Sequence, residues 1–197
     1  YGMTEFSSQM ATSAIWTQVQ AHYTCGKPIT GLDLVLSDVG EIRAKGPSLF
    51  MGYLSQGGIT KEVDPDGWFD TGDLGRFEND ELLFLGRKDA MFISGGENIQ
   101  PEEIEAVLLE MSGIRRATVV PVEDADFGFR PVAILDWEGE RSPTTEVEKR
   151  LAEHIPKFKI PIAFLDWPQE TGAGGVKVHR QRLRTFARQS LGAKDDV

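Results

Sequence analysis

Cysteine is almost absent. Cys25 is the only one in 197 residues, so no internal disulfide can form and the chain suits a reducing compartment. Histidine is scarce as well. His22, His154 and His179 show no metal-ligand spacing, which leaves them structural or surface roles. Positive charge is in deficit, with 21 Lys and Arg against 31 Asp and Glu and a formal net charge of −10. Attraction to nucleic acid or to an anionic membrane is thereby disfavoured. No apolar run of the sequence approaches the roughly 20 residues of a membrane span. No charged-then-apolar signal opens the chain, and it has no repeat or low-complexity tract. These absences lead to the expectation of a cytoplasmic protein with no nucleic-acid partner and no membrane span. They do not fix the oligomeric state, and a homo-oligomer is compatible with them.

What remains is an ordinary globular composition, 40% hydrophobic and 26% charged, in a chain long enough for one or two domains. Its texture changes near Lys88. Residues 1–87 are strand-rich and punctuated by Gly, Pro and Asp. "LDLVLSDVGEIRAKG" predicts two strands around a turn at Asp38–Gly40, with Leu32, Leu34 and Leu36 alternating. "GWFDTGDLGRFENDELLFLGR" predicts another pair, turning at Glu78–Asp80, and strands so spaced suggest a small barrel or curled sheet. Residues 88–197 mix elements. "QPEEIEAVLLEMSG" has Pro101 at a first helical position, acidic residues in the opening turn, one apolar face (Ile104, Val107, Leu108, Met111) and Gly113 to cap the end. Strands are expected at "ATVVPV", "RPVAILDW" and "IAFLDW", and helices at "SPTTEVEKRLAEHI" and "RQRLRTFARQSL". The fold class expected is α+β: a β-rich unit, 1–87, followed by a compact α+β unit, 88–197.

Three short stretches carry candidate chemistry, and each has a plain alternative. In "DTGD", Asp73 beside Gly72 can accept hydrogen bonds from a vicinal diol, or the stretch is a β-turn with a solvated Asp. In "GRKD", Arg87 can fork onto a ribose or phosphate, or form a surface ion pair. In "SGGEN", Gly95 and Gly96 permit close approach to a ligand, or make an ordinary turn. Ser7 and Ser8 read as a helix start, Lys157 and Lys159 as surface charges, and the basic "KVHRQRLRTFAR" as a solvated helix face.

Taken together, "YGMTE", "GEIRAKGPSLFMGYL", "GWFDTGDLG" and "GRKDAMFISGGENIQPEEIE", in this order and at these spacings, resemble the adenylate-forming superfamily of acyl-CoA synthetases, luciferases and peptide-synthetase adenylation domains. The resemblance runs over essentially the whole chain. It implies the C-terminal portion of a longer enzyme, with 1–87 ending the large adenylation domain and 88–197 forming the small mobile domain. A phosphate-cradling loop would lie upstream, so these 197 residues alone are expected to be inactive.

The resemblance also implies roles. Tyr1 and Gly2 would border the adenine and acyl pockets, Thr4 would bind a phosphate oxygen, and Glu5 would hold Mg²⁺. Asp73 would grip the ribose hydroxyls with help from Arg87. Asp89 would be the hinge, and Gly95 and Gly96 would line the CoA pantetheine tunnel. The catalytic lysine would be Lys177 in "WPQETGAGGVKVHR". Val176 separates it from Gly175, where most of the superfamily has Gly and Lys adjacent. That Gly-Gly-x-Lys ending, with "YGMTEFSS" and "DADFGFRPVAILDWEG", looks like the o-succinylbenzoate–CoA ligases of menaquinone biosynthesis. The activity implied is AMP-forming ligation of a small aryl carboxylate to CoA with ATP and Mg²⁺. A ligase for another aryl or fatty carboxylate, and a non-catalytic binding module of the same family, are the alternatives.

Overall fold

The computed structural model describes residues 1–14, 24–168 and 180–192. The chain packs as two compact units, Tyr1–Asp89 and Ala90–Val197.

The first unit opens with a short ribbon, β1 (Gly2–Met3) and β2 (Ser8–Gln9), around a 3₁₀ turn at Thr4–Phe6. Then come β3 (Ala11–Thr12), β4 (Thr24–Pro28), β5 (Asp33–Leu36), β6 (Glu41–Lys45), the separate hairpin β7 (Tyr53–Ser55) and β8 (Gly58–Thr60), β9 (Phe69–Glu78) and β10 (Glu81–Arg87). Six of these form a curled antiparallel sheet in the order β3-β4-β10-β9-β6-β5. Both expected strand pairs form. The β9–β10 turn runs through Asn79 and Asp80 at φ 52° and 64°, residue types that tolerate the left-handed region a tight hairpin demands. The alternating apolar positions meet beneath the sheet, where Phe6, Met10, Leu34, Ile42, Phe69 and Leu82 are buried together. Each such side chain contributes about 1.5–3 kcal/mol on burial.

Of the two readings open for "DTGD", the plain one fails. "DTGD" is not a β-turn, and Asp73 is not solvated. The stretch lies inside β9, and Asp73 is only 7% exposed. Between Glu41↔Leu74 and Arg43↔Asp70, β9 spends four residues where β6 spends two. This bulge displaces Thr71, Gly72 and Asp73 from the regular pleat. Gly72 sits at φ 73°, a value glycine adopts without strain.

The second unit contains β11 (Phe92–Ser94), β12 (Glu97–Ile99), α1 (Pro101–Leu109), β13 (Ile114–Asp124), β14 (Gly128–Trp137), α2 (Thr144–Ala152), β15 (Ala163–Asp166) and α3 (Arg180–Ser190). β14 is central, antiparallel to β13 and to β11, and parallel to β15. "TVVPV" and "VAIL" are apolar in unbroken runs because both sheet faces are covered. Val119, Ala133 and Leu135 point to a cluster with Ile104 and Leu108 of α1 and Val147 and Leu151 of α2. Val120, Val122, Val132 and Ile134 point the other way, onto Leu183 and Ala187 of α3. Gly113 does not cap α1. That helix ends at Leu109 with Glu110 as its cap, and Gly113, at φ 87°, shapes the entry into β13. Among the described residues no helix is long and apolar enough to cross a membrane.

Candidate functional site

In the first unit, the β9 bulge brings three of the expected site residues together. The Asp73 carboxylate accepts the Tyr1 hydroxyl on Oδ2 at 2.6 Å and Arg87 Nη1 on Oδ1 at 3.0 Å. Thr71 braces it from behind: its hydroxyl donates to the Ile42 carbonyl and accepts the Asp73 N–H. Arg87 also donates to the Thr71 carbonyl and, through Nε, to Asp89 at 3.1 Å. Burial, reinforced by the hydrogen bond to Asp73, pushes the Tyr1 phenol far above its ordinary range, so it stays a donor. With one lone pair taken by Tyr1 and one by Arg87, an ionised carboxylate retains about two acceptor sites. That suits a pair of adjacent hydroxyls.

Tyr1, Gly2 and Thr4 line one open cleft of about 710 Å³, formed by residues 1–4 and 7–9. Gly2 is required by close packing, since a Cβ there would lie 2.0 Å from the Ser8 carbonyl oxygen. Ser7 does not start a helix. It closes the 3₁₀ turn in the left-handed region at φ 63°, donating its N–H to Thr4. Glu5, half-buried in that turn, accepts the Tyr53 hydroxyl on Oε1 at 2.8 Å. Burial and then Glu5 raise the Tyr53 phenol, while Arg87 acts to lower it. Among the described residues no three His, Cys, Asp or Glu side chains form a metal cage. A lone carboxylate still fits Mg²⁺, which keeps its waters and binds through one or two carboxylates together with substrate phosphates.

Spacing alone did not reveal Glu41 and Lys88. Glu41, 7% exposed, accepts the Gly72 N–H on Oε1 at 3.1 Å and Lys88 Nζ on Oε2 at 2.7 Å. The Lys88 N–H in turn donates to the Gly72 carbonyl at 2.8 Å. The bulge is thus tied to the residue just before Asp89. Glu41 and Tyr53 both lie in the "GEIRAKGPSLFMGYL" stretch, which was the available signal.

In the second unit, Gly95 and Gly96 form the two-residue turn between β11 and β12, at φ 58° and 88°. Gly95 donates its N–H to the Phe127 carbonyl at 2.9 Å, and a Cβ on it would lie 2.7 Å from the Phe127 ring. Gly96 faces open space. Two plain readings hold only in part: Lys157 and Arg182 are exposed, as expected of surface charges, but their neighbours are not simply solvated. Lys159 is a largely buried cation paired with Glu103. The basic face of α3 is neutralised rather than simply solvated: Arg184 and Arg188 pair with Glu123, and Arg180 with Glu102 and Glu105. Burial raises the Glu105 carboxyl, and Arg180 and the Val119 N–H oppose that rise. Lys177, and with it His22 and His179, lies outside the described residues.

No protein-family model matches the chain. It is 37% identical over 199 residues to a 2-succinylbenzoate–CoA ligase of Haemophilus influenzae, a match taking in 100% of this chain and 42% of that one. Among solved structures it superposes on the o-succinylbenzoate CoA synthetase MenE of Bacillus subtilis in complex with the acyl-adenylate intermediate OSB-AMP. That match has a TM-score of 0.81 and 31% identity, covering 93% of this chain and 40% of that one. The same enzyme with ATP and magnesium ion gives a TM-score of 0.72 and 33% identity, covering 85% and 37%. The chain spans about two fifths of the length of the curated relatives it matches.

Proposed function

We propose, from the premise that this chain is a homologue of the adenylate-forming 2-succinylbenzoate–CoA ligases, that it supplies the ribose-binding strand, the hinge and the small C-terminal domain of an AMP-forming carboxylate–CoA ligase. Its preferred acid is o-succinylbenzoate, and the reaction runs in the cytoplasm. The observation that carries this reading is the β9 bulge, which holds Asp73 between Tyr1 and Arg87 with two acceptor sites to spare.

The chemistry is a two-step activation. A carboxylate oxygen attacks the α-phosphorus of ATP, the bond to the β-phosphate oxygen breaks, and acyl-adenylate and pyrophosphate result. The CoA thiol then loses its proton to solvent and its sulfur attacks the acyl carbon; the bond from that carbon to the phosphate oxygen breaks, and AMP leaves. The difficulty of the first step is the meeting of two anions. Lys177 supplies a positive charge where negative charge develops, and such preorganised charge is often the largest catalytic contribution. Asp73 accepts the two ribose hydroxyls and Arg87 fixes its orientation. Thr4 donates to a phosphate oxygen from the lip of the cleft. Glu5 would hold Mg²⁺ together with phosphate oxygens, the cation offsetting phosphate charge when bound. Between the half-reactions the small domain turns about Asp89, withdrawing Lys177 and bringing in the Gly95–Gly96 hairpin, which admits the pantetheine arm.

The test is an assay of the full-length protein with ATP, CoA, Mg²⁺ and a panel of aryl and fatty carboxylates, following pyrophosphate and AMP release. The highest kcat/KM is expected with o-succinylbenzoate. A different preferred acid would reassign the substrate. No pyrophosphate with any acid would leave a binding module.

A further inference from the structure

We propose that Glu41 is a positioning residue for nucleotide binding: by holding the Gly72 N–H it sets where the β9 bulge presents the Asp73 carboxylate. The inference rests on the reading of Asp73 as the ribose acceptor.

A bulge takes backbone groups out of the strand ladder, and a buried group so freed needs another partner. Here side chains and the end of β10 supply them. The Asp73 N–H bonds to the Thr71 hydroxyl, the Thr71 carbonyl accepts Arg87 Nη1, and the Gly72 carbonyl accepts the Lys88 N–H. The Gly72 N–H goes to Glu41 Oε1 at 3.1 Å. Gly72 is also packed closely against Arg87, since a Cβ on it would lie 3.1 Å from Nη2. Arg87 is one of the two groups that orient Asp73, the other being Tyr1. A shift of Gly72 therefore reaches the ribose acceptor twice, along the chain to the next residue and through the guanidinium.

Glu41 is itself a fixed post. Its N–H donates to the Ser37 hydroxyl at 3.1 Å and its carbonyl accepts the Ser37 N–H at 2.9 Å, which ties the start of β6 to the turn before it. Its side chain is only 9% exposed, and Lys88 Nζ occupies the second carboxylate oxygen at 2.7 Å. Joining the two strands does not require this. β6 and β9 pair again at Arg43↔Asp70 and Ala44↔Phe69, and Ile42, Ala44 and Phe69 lie in the core beneath them. A buried carboxylate is costly unless its oxygens are bonded, and the donor on Oε1 is the N–H of the residue just before Asp73. A site group is held to useful precision by side chains that are themselves locked in this way.

The readout is the ratio of 2′-deoxy-ATP to ATP dissociation constants in the full-length protein, which a merely structural side chain would not move. Glu41→Met removes the acceptor and is expected to weaken ATP binding about tenfold, the scale of one hydrogen bond to a charged group, and to lower the ratio toward one. Glu41→Gln keeps a side-chain carbonyl for the Gly72 N–H, and Lys88, 52% exposed, can turn to water, so this variant should keep the wild-type ratio. In the Asp73→Asn background Glu41→Met should weaken ATP binding by no more than about twofold, because both changes act on the same contact. A Glu41→Met protein that melts earlier yet keeps the wild-type ratio would overturn the proposal. So would equal losses in Glu41→Met and Glu41→Gln, which would assign the effect to the Lys88 pair. Should Glu41→Met not fold, Glu41→Asp, one methylene too short to span Gly72 and Lys88, decides by the same ratio. A wild-type ratio of one would instead remove the ribose reading of Asp73, and this proposal with it.

Discussion

Replacing Asp73 by Asn tests the nucleotide site at its centre. The carboxylate offers about four lone-pair sites, of which Tyr1 at 2.6 Å and Arg87 at 3.0 Å use two. An amide offers two lone pairs on one oxygen and two donors on nitrogen. Its oxygen must face Arg87, which only donates, and its nitrogen must then face the Tyr1 oxygen. One acceptor site is left for two ribose hydroxyls, and the negative charge is gone. A hydrogen bond to a charged group is worth about 1.5–3 kcal/mol. At 1.4 kcal/mol per decade, ATP affinity of the full-length protein should fall about 10- to 10²-fold. Stability should barely change. The amide still offers a partner to both Tyr1 and Arg87, and the Arg87 side chain, 46% exposed, is compensated by water for the lost charge. Calorimetric titration with ATP and with 2′-deoxy-ATP, beside a thermal melt, separates these effects. Wild type should lose affinity for the deoxy nucleotide, and Asp73→Asn should lose little more, because the two changes remove the same interaction. An Asn variant that binds ATP as wild type does, or that is penalised equally by the missing 2′-hydroxyl, would refute the assignment.

Two further outcomes are expected. Asp89→Pro fixes φ near −65° at the proposed pivot and should slow one half-reaction far more than the other in single-turnover assays; equal, wild-type-like rates would remove Asp89 from the hinge. The Asp64 carboxyl is held below its usual range by the Trp68 N–H first and then by Arg43. Its stabilisation is therefore present above the unfolded value of about 3.9 and lost as pH falls through the lowered native value. Asp64→Asn should destabilise the protein to urea at pH 7 but much less at low pH, and a deficit of the same size at both would show that charge is not the cause.

The strands on either side of Asp38–Gly40 and Glu78–Asp80 could be read from alternation and turn chemistry, and α1 from Pro101 and its acidic first turn. Those signals are local. The bulge at Thr71–Asp73 is not legible, because a left-handed glycine looks alike in a turn and in a bulge; only the neighbouring β6, paired two residues out of step, distinguishes them. Distance in sequence hid the ion pairs in the same way. Lys159 and Glu103 are 56 residues apart, and Arg180 and Glu102 are 78, so the cations looked solvated. Of the site, Asp73, Arg87 and Tyr1 were legible through their motifs and do meet. Glu41 was not, since nothing local to "GEIRAKG" says that a residue 47 positions later will lie against it.

The Glu41–Lys88 pair bears on how the chain withstands proteases. Arg87 and Lys88 are consecutive basic residues beside the boundary between the two units, a natural target for trypsin-like enzymes if exposed and loose. Cleavage requires the basic side chain to enter the protease pocket while several flanking residues extend. Here Arg87 is paired with Asp73 and Asp89, the Lys88 ammonium is engaged by Glu41, and its N–H is bonded to Gly72. A protease would have to wait for the end of β10 to open locally, so cutting would follow the population of that opened state. The carboxylate that ties Lys88 to the bulge also guards the dibasic step beside the joint.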